Sequence, residues 1–263
     1  INFKTDMADE RVDEYKKVNN LSSVDGIKVE EDNSLEFAKV VNVEVLNEIG
    51  SNVIDKEIGK YITIECKEIN YLEEQQKEML SQKIKQIILK LINKEKASIL
   101  VVGLGNSKMT PDALGSTVTS KLEITRHLLK FAKEFVSENT REISSICPGV
   151  LGTTGIETVE IVESVAEKIK PDVLIVIDSL LSQSIERLGK TIQLTDKGIV
   201  PGSGVGNERV GIKENILNIP VIAIGVPTVV ESSIIVSDTI YYLFKHLSYI
   251  KNNFDSNKLV FSR

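Results

Sequence analysis

Apolar residues in this chain fall into unbroken runs, helical stripes and period-two alternation. Ser98–Val102, Asp172–Ile177 and the stretch 220–225 are short apolar runs without period-two alternation. Such runs read as strands buried on both faces, as in a parallel sheet. Between and after them the spacing turns helical, with helices expected near 111–119, 122–137, 155–169, 180–188 and 232–249. Upstream, Leu72–Lys94 places Leu80, Ile84, Ile87, Ile88, Leu91 and Ile92 on one stripe of a long amphipathic helix. Val40–Leu46 and Tyr61–Cys66 alternate as half-buried strands do, and 50–59 joins them as a hairpin or small flanking sheet. The first 35 or so residues are charged and weakly periodic, which suggests an arm with one helix from Asp9 to Val18. Repeated strand–helix units imply an α/β fold: a mainly parallel, doubly wound sheet with helices on both faces and a small N-terminal β flanking region. The organisation expected is an arm at 1–35, an α/β domain at 36–251 and a tail at 252–263.

The strand ends carry the chemistry. The run to Val102 stops at Gly103 and Gly105, followed by Asn106; Thr110 then offers a helix N-cap, Pro111 suits the first helical position and Asp112 falls in the first turn. A carboxylate is thereby delivered to the carboxyl edge of the sheet, where open α/β folds place ligands. The run 172–177 ends likewise in Asp178. If the two strands are neighbours, Asp112 and Asp178 face one crevice. Two carboxylates there can share a proton, one acting as base on water and the other polarising a carbonyl. The plainer alternative makes Asp112 a favourable charge at a helix start and Asp178 an N-cap. Gly202-Ser203-Gly204-Val205-Gly206 has the look of a dinucleotide loop. It does not directly follow a strand and lacks the later acidic residue, so a substrate-lining or structural loop is the better reading.

Composition narrows the choice. The chain has 263 residues and a net charge of −6, room for a sizeable core and no sign of a global nucleic-acid surface. No apolar stretch approaches the roughly 20 residues of a membrane helix, and Ile1–Asp6 carries no secretory pattern. Cys66 and Cys147 stand far apart, which suits two buried thiols in a reducing compartment. The two histidines, His127 and His246, form no zinc-peptidase motif, and no Gly-x-Ser-x-Gly elbow accompanies them. No metal and no cofactor is expected.

Several ordered blocks resemble the germination proteases of spore-forming bacteria. They are Val101–Gly115 with Thr125-Arg126-His127-Leu128, Pro148–Thr158, Ile177-Asp178 through Ser184–Arg187 to Thr191-Ile192-Gln193, Gly198–Asn207 and Ile219–Val230. Together they cover most of the chain from Thr5 to about Lys251. The resemblance implies an endopeptidase with Asp112 and Asp178 as its catalytic pair. It also implies a self-trimming zymogen, a homotetramer, a cytoplasmic location in the forespore and spore core, and small acid-soluble spore proteins as substrates. That family cuts a Thr-Glu-Phe-Ala-Ser-Glu pattern, which Thr5-Asp6-Met7-Ala8-Asp9-Glu10 matches by residue type. Self-cleavage is therefore expected between Asp6 and Met7, on a mobile arm. Two other readings stand beside it. Gly103-x-Gly105-Asn106 followed by Asp112 also resembles the metal-assisted endopeptidases of hydrogenase maturation, although no histidine fills the third-ligand role. The other is a non-enzymatic α/β binding module.

Overall fold

The computed structural model describes residues 4–202 and 210–260. Among the described residues, one sheet of eight strands forms the centre of the fold, in the order β1-β2-β3-β7-β8-β6-β4-β5. Helix α1 (Ala8–Asn19) precedes β1 (Ile27–Asp32) and β2 (Lys39–Val45). Helix α2 (Glu48–Ile54) leads to β3 (Gly59–Glu65), and the long α3 (Glu74–Ile92) leads to β4 (Ile99–Gly103). After β4 come α4 (Leu114–Thr119), α5 (Arg126–Phe131), β5 (Ile143–Ile146), the single turn α6 (Leu151–Thr154) and α7 (Thr158–Ile169). The chain ends with β6 (Val173–Ser182), β7 (Thr191–Thr195), the short α8 (Glu214–Leu217), β8 (Val221–Val230) and α9 (Ser232–Val260).

The apolar runs are the buried parallel strands expected of them. β4 pairs with β5 and β6, and β6 with β8, all parallel. All five residues of β4 are buried. The N-terminal strands are not a separate flanking sheet. β1, β2, β3 and β7 pair antiparallel in sequence and join the parallel half through β7 and β8, so the sheet is mixed, with its parallel part at the core. α2 interrupts the link between β2 and β3, which is therefore no tight hairpin.

Each face of the sheet has its own cover. On one, α3 packs Leu80 and Ile87 against Ile62, Ile64 and Leu194. On the other, α7 packs Val159, Val162 and Ala166 against Leu100, Leu174 and Val176, while Ala8 and Val12 of α1 lie against Val41, Val43 and Tyr61. Between the α7 and α1 clusters on this second face runs a strip of sheet that α1 borders through Ala8. That strip is polar: Thr63, Thr191, Gln193, Thr195 and Asp178 are all buried.

Three expectations need correction. The helix expected at 180–188 is absent: β6 continues to Ser182, and only one 3-10 turn follows at Ile185–Arg187. Ser179-Leu180-Leu181-Ser182 suits either period, and pairing of Asp178–Ser182 with Gly225–Val230 decides it for strand. The helix at 122–137 shrinks to α5 and a 3-10 turn at Lys133–Phe135. The mobile arm is instead docked: Thr5, Met7, Ala8 and Val12 are buried, and β1 belongs to the sheet. No helix among the described residues is long and apolar enough to cross a membrane.

Candidate active site

β4 ends at Gly103 beside Ile177 of β6, and the Leu104 N–H donates to the Ile177 carbonyl at 2.9 Å. The chain then turns through Gly105 and wraps around Asp112. The Asn106 N–H donates to Asp112 Oδ2 at 2.7 Å, and the Asn106 side chain accepts from the Lys108 N–H at 3.0 Å. Gly105 has φ +93°, and a Cβ there would stand 2.1 Å from the Asp112 carbonyl oxygen. Only glycine lets the loop close this tightly. Asp112 sits in a 3-10 turn, Thr110–Asp112, rather than in the first turn of α4. From β8, Thr228 Oγ1 donates to the Pro111 carbonyl at 2.6 Å and ties that turn to the sheet. Gly105→Ala is expected to displace Asp112 and to cost roughly 1–3 kcal/mol of stability. Cleavage should fall at least tenfold, measurable by a rate assay beside a thermal melt.

Asp178 lies inside β6 rather than at a helix start, so the N-cap alternative does not apply to it. Its carboxylate accepts from the Ser179 N–H at 2.8 Å. Burial pushes its pKa up to about 7, against the opposing pull of that hydrogen bond, and the negative charges of Asp112 and Asp6 add to the rise. The charge of Asp112 thus reaches Asp178. Asp6, expected only as part of a cleavage motif, belongs to the same group.

The segment Thr5–Glu10 is bound along the end of β6. Asp6 N donates to the Leu181 carbonyl at 2.9 Å, and the Leu181 N–H donates to Asp6 Oδ2 at 2.8 Å. The register of β6 against β8 slips between Leu180 and Leu181, at the point where Asp6 attaches. The Asp6 carbonyl accepts from Lys56 Nζ at 3.0 Å and from Gln193 Nε2 at 3.1 Å, while Gln193 Oε1 accepts from the Ala8 N–H at 2.8 Å. Burial lowers the pKa of the Lys56 ammonium, against the attraction of Asp6. Met7 is fully buried, and its N–H donates to Thr5 Oγ1 at 3.0 Å.

Further along, Glu10 accepts from Ser182 Oγ at 2.6 Å, the Gln183 N–H at 2.8 Å and Arg187 Nη1 at 3.0 Å, and also from Thr5. Arg187 reaches Asp9 at 2.7 Å and Glu65 at 3.5 Å. Beside Asp6 opens a cleft of about 590 Å³, lined in part by Lys56, Leu180, Gln193 and Gly225.

Other expected residues fall elsewhere. Gly202 has φ +70° in a turn, and Ser203, Gly204 and Gly206 lie outside the described residues. His127 on α5 and His246 on α9 are exposed. Among the described residues no three His, Cys, Asp or Glu side chains gather as a metal-binding set. Cys66 is buried as expected; Cys147 is exposed, its sulfur 2.8 Å from Thr119 Oγ1. Sequence reasoning missed Lys56, Gln193 and Arg187. For Gln193 a signal existed: Thr191, Gln193 and Thr195 put polar residues on every second position of a strand, marking a polar face. Lys56 sits in a connection with no pattern of its own.

The family described as germination protease matches residues 4–262. A germination protease of Clostridium perfringens (strain 13 / Type A) is 42% identical over 98% of this chain and 82% of its own length. That of Clostridium tetani (strain Massachusetts / E88) is 44% identical over 91% and 74%, and that of Priestia megaterium (strain ATCC 12872 / QMB1551) 44% over 92% and 67%. Among solved structures, the [NiFe] hydrogenase maturation protease HycI from Thermococcus kodakarensis KOD1 aligns with 53% of this chain and 80% of its own. The two share 19% identity, with a TM-score of 0.36.

Proposed function

The chain belongs to the germination protease family, and from that premise we propose that it is an endopeptidase in which Asp112 and Asp178 share one proton and activate water against a peptide bond. A protease role in spore germination follows from the family; the pair, the substrates and self-processing are the proposal. The observation that carries it is the burial of Asp178 within the electrostatic reach of Asp112, which holds a proton on Asp178 near neutral pH. That leaves Asp112 to take a proton from water while Asp178 donates one to the carbonyl oxygen or the leaving nitrogen.

Small acid-soluble spore proteins are the proposed substrates, and the chain's own Asp6–Met7 bond is a proposed first target. The docked segment Thr5–Glu10 supports this reading: it lies along β6 beside the Asp178 site. A homotetramer in the forespore and spore core belongs to the same proposal. Supporting the assembly are Val236, Ile240, Leu243, Phe244 and Leu247, apolar side chains exposed along α9.

Incubation of the purified protein with a small acid-soluble spore protein, with and without a chelator, tests the reading. Discrete fragments are expected at equal rates in both samples, because the proposed chemistry needs only the two carboxylates. Full inhibition by the chelator, restored by zinc, would instead favour metal-assisted cleavage. Binding without any cleavage would make the chain a binding module.

A further inference from the structure

Four strands bring one row of residues to the polar strip. Thr63 pairs with Gln193, Gln193 with Gly225, and Gly225 with Asp178, so all four side-chain positions point to the same face. With strands roughly 4.8 Å apart, Gln193 and Asp178 stand about 10 Å from each other across the glycine. No side chain rises between them from β8. A Cβ on Gly225 would fall 2.4 Å from Leu180 Cγ, since Leu180 leans over that position. Leu180 thus covers the glycine, with a carboxylate at one side of it and an amide at the other, and the Asp6 carbonyl lies at the amide side.

Gln193 brackets the Asp6–Met7 bond. Its Nε2 donates to the carbonyl before the bond, at 3.1 Å, and its Oε1 accepts from the N–H of Ala8, one residue beyond Met7, at 2.8 Å. These two partners also fix which way the amide points. Lys56 Nζ supplies a second donor to the same carbonyl oxygen, at 3.0 Å, from a different element. Two converging donors, one cationic, on a single peptide oxygen exceed what is needed to hold a segment in place.

We propose that Lys56 and Gln193 are the carbonyl-activating half of the site, binding the oxygen on which negative charge develops during cleavage. This rests on reading Asp6–Met7 as a scissile bond. Water adds its oxygen to the Asp6 carbonyl carbon and gives a proton to the carboxylate pair. The carbonyl π electrons move onto the oxygen, where the Lys56 ammonium and the Gln193 amide hold them. Collapse restores the C=O bond and breaks the C–N bond to Met7, whose nitrogen takes a proton from the pair. The products are the Asp6 α-carboxylic acid, which releases its proton to solvent, and the Met7 α-amine. In a spore-protein substrate the same two donors take the carbonyl preceding the cut, and Gln193 sets its register.

The test uses the full chain and two readouts: the first-order rate at which a Met7 terminus appears, and protection of the Ala8 amide from hydrogen exchange. Lys56→Met is expected to slow cleavage at least 100-fold, within the range for loss of one oxyanion donor, while Ala8 stays protected. Lys56→Arg should recover part of the rate. Gln193→Met should lose both rate and Ala8 protection, because it removes both bonds. The proposal is overturned if Lys56→Met cuts within threefold of the wild-type rate, or if its rate falls only in step with lost Ala8 protection. The wild-type sample separates this from the underlying reading: no cut at Asp6–Met7 there refutes self-processing itself, and this proposal with it.

Discussion

Asp178→Asn is expected to abolish cleavage and, above neutral pH, to stabilise the fold. Asparagine keeps the size of the side chain and an oxygen to accept from the Ser179 N–H, but it can neither hold nor release the shared proton. Loss of acid–base function should lower the rate by about 10²–10⁴. The stability effect follows from burial. The carboxyl of Asp178 titrates at about 7 in the folded chain against a model-compound value of 3.8. The folded protein therefore keeps a proton that the unfolded chain releases, and stability declines as pH rises from about 4 to about 7, then levels off. At ~1.4 kcal/mol per unit, the buried anion costs about 4 kcal/mol above that window. Melts at pH 8 should accordingly place the variant several degrees above the wild type, with the difference vanishing near pH 4. The proton that costs stability when lost is the one that catalysis needs. Wild-type cleavage should hold below pH 7 and fall about tenfold per unit above it.

Arg187→Ala should produce the largest loss of stability. Its guanidinium is buried among Asp9, Glu10 and Glu65, two of them on the docked N-terminal segment. Removing it takes away the cation that the three carboxylates share. Breaking a buried pair on one side costs about 3–5 kcal/mol. Part of that cost is avoidable, because Thr5–Asn19 can leave the sheet and carry Asp9 and Glu10 into water. The expected result is a lowered melting temperature together with fast hydrogen exchange across residues 6–12, while the amides of β4 and β6 stay protected. Arg187→Lys should recover little, since one ammonium cannot match the planar fork that spans Asp9 and Glu10. Unchanged exchange in the first 12 residues of Arg187→Ala would show that the ion cluster does not hold the segment.

How far the sequence could be read depended on whether the signal was local. Unbroken runs such as Ile99–Val102 and Val173–Ile177 announce strands buried on both faces, and strand–helix alternation announces a mainly parallel sheet. The same local signals fail at Ser179–Ser182, whose pattern fits a helix or a strand until β8 provides a partner. Charged residues 4–19 read as an arm because their partners, Leu181, Gln193 and Arg187, lie more than 170 residues away. No window along the chain contains that contact. Lys56 is invisible for the same reason, since its role exists only once Asp6 is docked. Gln193 was within reach, as the middle of three alternating polar positions on a buried strand.

N-terminal sequencing of the wild-type chain, Asp112→Asn and Asp178→Asn, after incubation at mildly acidic pH, tests the central claim most directly. The paired-carboxylate account expects a new terminus at Met7 in the wild type and none in either variant, although all three give the same circular dichroism. A Met7 terminus appearing at near wild-type rate in either variant would contradict it.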